Sequence, residues 1–213
     1  MEDPAAMANR PRKKIPTWAQ RAELLEGEQH ILVERPQPNV SLITINRPEC
    51  KNLMTHRTRA QLFNQLQVND QDPDVRVTII RGAGGNFCAG FDFDSNREEV
   101  LPFFEPDIDG QTARHVVSSW FMMNDLAKPV IAMVEGEATG GGLELAAACD
   151  VCICAEDAQI GYNAVRGQGL ADYQILPWLC GMRNAMELIL TNKYVFPVFA
   201  AFHFFRMSQL TEN

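Results

Sequence analysis

Apolar and polar residues change period several times along this chain, and each change marks an expected element. His30–Glu34 and Val40–Ile45 are β-rich runs joined by RPQPN, whose prolines and asparagine predict a hairpin-like connection. Thr55, Arg59, Leu62, Phe63 and Leu66 recur at helical spacing, which predicts a helix ending near Asn69. Asp70–Asp74 reads as a turn. Val75–Arg81 reads as a buried strand running into the glycine-rich loop GAGGNFCAGFDF, where backbone amides become available to ligands. Residues 95–112 are acidic and contain proline, the pattern of a surface loop with a helical turn. Residues 113–126 follow an amphipathic helical pattern stopped by Lys128 and Pro129. PVIAMVEG is a short continuous apolar run bounded by proline and glycine, which predicts a strand buried on both faces. Beyond a glycine triplet come an alanine-rich helix, a strand over Val151–Ala155, a loop from Asn163 to Asp172, and one helix carrying Leu176, Leu179, Met186, Leu188 and Ile189. Strand and helix units alternate at βα spacing, so the expected class is α/β with parallel strands, right-handed crossovers and flanking helices.

Both ends differ from this middle. Residues 1–27 are polar, contain three prolines and lack an apolar signal-peptide core, so a flexible arm with a short helix around Trp18–Leu25 is expected. The core domain is expected over 28–193, followed by an apolar tail over 194–213. Val195–Phe205 holds five of the twelve phenylalanines, but is too short and too interrupted by proline to span a membrane.

Composition narrows the function classes. With 213 residues, 46% hydrophobic and 22% charged, the chain suits one soluble domain with a substantial core. A net charge of −8 argues against general nucleic-acid binding, because phosphate neutralisation needs clustered Lys and Arg, and Arg10, Arg12, Lys13 and Lys14 form the only such cluster. The six cysteines lie mostly in apolar or glycine-containing stretches, which suits reduced thiols inside a cell. Cys149, Cys152 and Cys154 lack a second Cys/His cluster to close a tetrahedral metal site, so they read as core thiols and no metal is expected. A cytoplasmic location is expected, with a mitochondrial one as the alternative, since the arm is a poor transit peptide and no peroxisomal tripeptide ends the chain.

The chemistry starts at GGGLELAAACD, residues 140–150, where Glu144 sits among small apolar neighbours on the first turn of the expected helix. Burial disfavours a carboxylate and a helix N-terminus favours it, so the two effects oppose each other there. The plain alternative is a first-turn acid facing water.

Two stretches, FCAGFDF (87–93) and KPVIAMVEGEATGGGLELAAACDV (128–151), resemble the enoyl-CoA hydratase/isomerase family, the crotonase superfamily. INRPECKN (45–52) and AEDAQIG (155–161) match the same family in the same order, so the resemblance covers about residues 29–191. It implies a crotonase-like ββα spiral core and an enzyme acting on an enoyl-CoA thioester by hydration or double-bond isomerisation. Two convergent N–H groups stabilise the enolate oxyanion of such a reaction by several kcal/mol. By resemblance these donors are Phe91 and Gly141, with Glu144 as the acid or base. Lys51, Ala89, Phe91, Asp92 and Gly141 are the implied neighbours of CoA, which is part of the substrate, so no separate cofactor is implied. Taken alone, GGG is also a tight strand-to-helix turn, and Lys51 also a solvated surface lysine.

The chain departs from the family in three places. Hydratases of the family carry a second glutamate in a loop resembling FGQPE; here that loop reads IGYNA, and Ala164 takes the glutamate's position. Asp172 in GLADYQ either supplies a second carboxylate, as an aspartate near this place does in dienoyl-CoA isomerases and a dehalogenase branch, or caps the next helix. Tyr162 is expected to pack with its hydroxyl in water. Cys50 replaces a common basic residue in the CoA-side turn. After LILTNK the chain leaves the family pattern, consistent with a truncated or divergent C-terminus. The resemblance implies a homotrimer or hexamer, whose contacts the family builds with helices missing from this pattern. A catalytically impaired module that binds acyl-CoA or a protein is therefore the rival expectation.

Overall fold

The computed structural model describes residues 26–92, 111–163, 175–191, 193–194 and 206–207. The expected helix over Trp18–Leu25, the surface loop before residue 111, Ala164, Asp172 and the phenylalanine-rich run Val195–Phe205 lie outside them.

Six strands hydrogen-bonded side by side form the frame. β1 (Ile31–Gln37) and β2 (Asn39–Ile45) make the expected hairpin, antiparallel with Ile31 opposite Ile45. Asn39 turns it with a φ of 65°, a left-handed conformation that asparagine tolerates better than most side chains. β3 (Val75–Gly82), β4 (Val130–Val134), β6 (Val151–Cys154) and β8 (Arg206–Met207) then add in parallel. The tail residues of β8 thus return to pair with β6.

Helix α1 (His56–Gln71) starts where the periodicity predicts it. The Thr55 hydroxyl accepts from Thr58 N at 3.0 Å, and Thr55 N donates to Thr58 Oγ1 at 3.3 Å, a reciprocal cap. Its apolar face buries Ala60, Leu62, Phe63 and Leu66. At its far end the Asn69 amide donates to Ser41 Oγ and Thr78 Oγ1, which satisfies the buried polar groups between helix and sheet.

The structure corrects two expectations and adds one element. β4 alternates: Val130, Ala132 and Val134 are buried while Ile131 and Met133 are only partly covered, so the two faces are not equally enclosed. The helix expected through Leu176–Ile189 is two helices, α4 (Leu176–Cys180) and α5 (Met182–Thr191), separated by Gly181 at φ 78°. A second sheet also exists that no run of apolar residues foretold, formed by β5 (Glu137–Thr139) and β7 (Gln159–Gly161) in parallel. Three-residue strands give too short a period to register in sequence.

Helices α2 (Gln111–Asn124) and α3 (Gly141–Ala148) complete the frame, and every residue of α3 is buried. One apolar cluster runs from Ile43 and Ile80 in the sheet through Leu62 and Trp120 to Leu143 and Leu145. All six cysteines are free thiols. Cys152 and Cys154 share one face of β6 as expected, with their sulfurs 3.7 Å apart. Among the described residues no helix is long and apolar enough to cross a membrane.

Candidate active site

Two loops meet beyond β3 and β4. Cys88 N donates to Glu137 O at 2.9 Å and Thr139 N to Cys88 O at 3.0 Å, so the CAG segment pairs with β5 through a single parallel bridge. The Thr139 hydroxyl donates to Ala89 O at 3.0 Å and tightens the same seam.

Phe91 is bridged to Met54: Met54 N donates to Gly90 O at 2.8 Å and Asp92 N donates to Met54 O at 2.9 Å. Successive peptide groups of an extended segment point to opposite sides, so the Phe91 N–H is directed away from Met54. Gly90 holds a φ of 119°, and a β-carbon there would stand 3.7 Å from Gly141 N, so the two candidate donor segments are in contact.

Gly141 opens α3, and its N-cap Gly140 offers no side chain to the first turn. The first N–H groups of a helix lack intrahelical acceptors, and together they favour negative charge. A β-carbon on Gly142 would stand 2.0 Å from Cys88 O, so only glycine permits the approach of helix and loop.

Glu144 is 1% exposed, which rules out the plain alternative of an acid facing water. Each of its oxygens accepts a hydrogen bond: Trp120 Nε1 donates to Oε2 at 3.0 Å, and the Tyr162 hydroxyl donates to Oε1 at 3.3 Å. A buried carboxylate that receives two donors is a satisfied polar group. The expectation for Tyr162 is corrected here, because its side chain is buried and its hydroxyl meets the carboxylate rather than water.

No motif in the sequence marks Trp120 as a site residue. It lies on the face of α2 shared with Ser119 and Met123, all buried, while Phe121 is exposed. The amphipathic pattern marks that face as interior, yet it cannot show which distant group the indole reaches. Around Trp120 the rings of Phe63 and Phe91 have centroids 5.6 and 6.4 Å away. The buried Arg59 guanidinium lies 5.4 Å over the Phe91 ring and donates to Ser119 Oγ at 3.0 Å.

Of the residues expected beside CoA, Lys51, Ala89 and Asp92 lie in or against the same loops. Lys51 adopts a left-handed conformation at the end of the turn Pro48–Cys50, its carbonyl accepts from Ala89 N at 3.0 Å, and its ammonium is ion-paired with Glu137. That hydrogen bond raises the Lys51 ammonium above its ordinary value. Asp92 Oδ2 accepts from Arg47 Nη1 at 3.1 Å, tying the NRPECKN turn to the loop. Phe91, Gly141 and Glu144 are therefore brought together, and Lys51, Ala89 and Asp92 border them.

The profile of the enoyl-CoA hydratase/isomerase family matches residues 35–198. A probable enoyl-CoA hydratase of Mycobacterium bovis is 36% identical over 166 residues, covering 76% of this chain and 62% of that protein. A peroxisomal Delta(3,5)-Delta(2,4)-dienoyl-CoA isomerase of Arabidopsis thaliana is 32% identical over 173 residues, with 76% and 62% covered. The chain thus spans 62% of the length of each of these relatives. The crystal structure of an enoyl-CoA hydratase from Thermoplasma volcanium superposes with a TM-score of 0.74 at 31% identity, over 84% of this chain and 71% of that one. With the sheet order, the paired loops and a profile match over most of its length, this chain belongs to the enoyl-CoA hydratase/isomerase family of the crotonase superfamily.

Proposed function

We propose that the protein is an acyl-CoA-processing enzyme that acts on an enoyl-CoA thioester through an enolate. The N–H groups of Phe91 and Gly141 stabilise the thioester oxyanion, and Glu144 moves the proton. The observation that carries this reading is the buried Glu144 carboxylate, one helical turn beyond Gly141, on the side of the helix where the Phe91 loop packs. Oriented donors in a water-poor site act on the developing negative charge with little reorganisation.

Double-bond isomerisation suits these residues best. One carboxylate takes a proton from one carbon and, after exchange with solvent, delivers a proton to it or to another two bonds away, and the enolate holds the charge in between. Hydration needs a second group to share the water, and residue 164 is alanine. Asp172 is the candidate for that second role. The dienoyl-CoA isomerase among the relatives favours isomerisation, and the probable hydratase favours hydration. CoA would lie along Lys51, Ala89 and Asp92.

Purified protein incubated with a 3-enoyl-CoA and with short and medium 2-enoyl-CoA substrates, beside Glu144→Ala, tests the reading. Isomerisation that Glu144→Ala abolishes supports it, and equal turnover by the variant removes Glu144 from the reaction. Calorimetry with CoA thioesters separates the rival module, which would bind without forming product.

A further inference from the structure

We infer that Trp120 and Tyr162 are positioning residues that hold Glu144 as a carboxylate of fixed orientation, so that the group begins the reaction as a base. The inference rests on the reading of Glu144 given above.

An ionised carboxylate only accepts hydrogen bonds, and an indole N–H only donates. The Trp120 Nε1 contact at Oε2 therefore has one polarity, with the indole giving its proton to the acid. At Oε1 the Tyr162 phenol can donate in the same way. A protonated Glu144 would turn one oxygen into a donor, and at Oε2 that donor would face the indole N–H. Trp120 thus excludes a proton on Oε2, and the Tyr162 hydroxyl, donating as it does here, adds a weaker preference for the charged form at Oε1, in a pocket whose burial alone would select the neutral one.

Geometry fixes the orientation as well. Trp120 is wedged between Phe63, edge-on at 74°, and Phe91, so its N–H cannot swing away without disturbing both rings. Tyr162 follows β7, and Gly161 O of that strand accepts from Gly140 N at 3.1 Å. The second donor is therefore tied to the residue that starts the helix of Glu144. The indole and the phenol reach the carboxylate from separate elements, α2 and the end of β7, and a carboxylate gripped at both oxygens keeps one rotamer.

The test uses the whole chain with Trp120→Phe, Tyr162→Phe and a control, Ile80→Val, which trims a buried side chain in β3. In a pH profile of isomerisation, each donor variant should move the acidic limb upward by about one pH unit, because a lost hydrogen bond to the charged form disfavours it. Ile80→Val should lower the melting temperature and leave the limb in place. In parallel, the Trp120 indole N–H resonance, assigned through Trp120→Phe, should shift with the titration of Glu144 and stop titrating in Glu144→Gln. Unmoved limbs in both donor variants would overturn the inference. An indole resonance indifferent to Glu144→Gln would overturn it too. If no enoyl-CoA is turned over, the reaction falls, while the resonance still decides whether Trp120 grips Glu144.

Discussion

The ring of Phe91 lies against the α-carbon of Gly141: a β-carbon on residue 141 would stand 2.6 Å from Cε2 and 2.7 Å from Cζ. Since Trp120 and Arg59 border the same ring, it has little room to yield. Gly141→Ala should therefore displace Phe91, cost about 1–3 kcal/mol of stability by overpacking, and lower turnover by roughly 100-fold through loss of donor alignment. At Gly142 the obstacle is the carbonyl of Cys88, which is backbone, so Gly142→Ala should be the more damaging. Thermal melts and steady-state kinetics of both variants check this order, and a Gly142→Ala protein as stable as wild type would contradict the packing described.

Asn52 supports the loops from beneath. Its side chain accepts from Arg47 N at 2.9 Å and donates to Ala83 O and Asn86 O, and the residue is fully buried at a φ of 59°. Asn52→Ala would leave partly buried backbone groups of Arg47, Ala83 and Asn86 without these partners, each costing up to about 1–3 kcal/mol. Chemical denaturation should show a loss of at least about 2 kcal/mol, well beyond that of an ordinary surface substitution.

The Lys51–Glu137 ion pair occupies the lysine expected to meet CoA. Since Lys51 is exposed and its ammonium is raised above its ordinary value of 10.5, the pair is fully formed at assay pH and is lost only as pH rises past that range. Lys51→Ala should weaken CoA binding several-fold in calorimetry with little change in melting temperature, as expected for an exposed pair. Glu137→Gln should release the ammonium and tighten binding. Opposite signs for the two variants are the diagnostic result.

Burial pushes the Cys88 thiol up to about 12 from an ordinary value of 9.0. A group whose folded value lies above its unfolded one contributes fully below the unfolded value and loses that contribution as pH rises toward the folded one. Stability should hold up to about pH 9 and decline from there to about pH 12. Cys88→Ala should lessen that decline, to which the raised Cys149, Cys152 and Cys180 thiols also contribute, and native-state alkylation at pH 8 should leave Cys88 unmodified until the chain unfolds.

Much of the frame was readable from period and punctuation. Thr55 and the apolar spacing of Leu62, Phe63 and Leu66 gave α1, and the glycine triplet gave the start of α3. Glu144 was legible because an acid among alanines is a local anomaly. The rest depended on contacts distant in sequence. Trp120 meets Glu144 across 24 residues and Tyr162 across 18, and neither bond leaves a trace in periodicity. The strands β5 and β7 are too short to show alternation, and Gly181 interrupts an otherwise continuous helical pattern by its φ alone.

The central claim is that Glu144 exchanges a proton with an acyl carbon whose charge is held by the Phe91 and Gly141 amides. Its most direct test is deuterium uptake at the α-carbon of a 3-enoyl-CoA in heavy water, followed by mass spectrometry for wild type and Glu144→Gln. Wild type should take up deuterium, and the variant should lose about 10²–10⁴-fold, the usual worth of a positioned acid or base. Equal uptake by both proteins would contradict it.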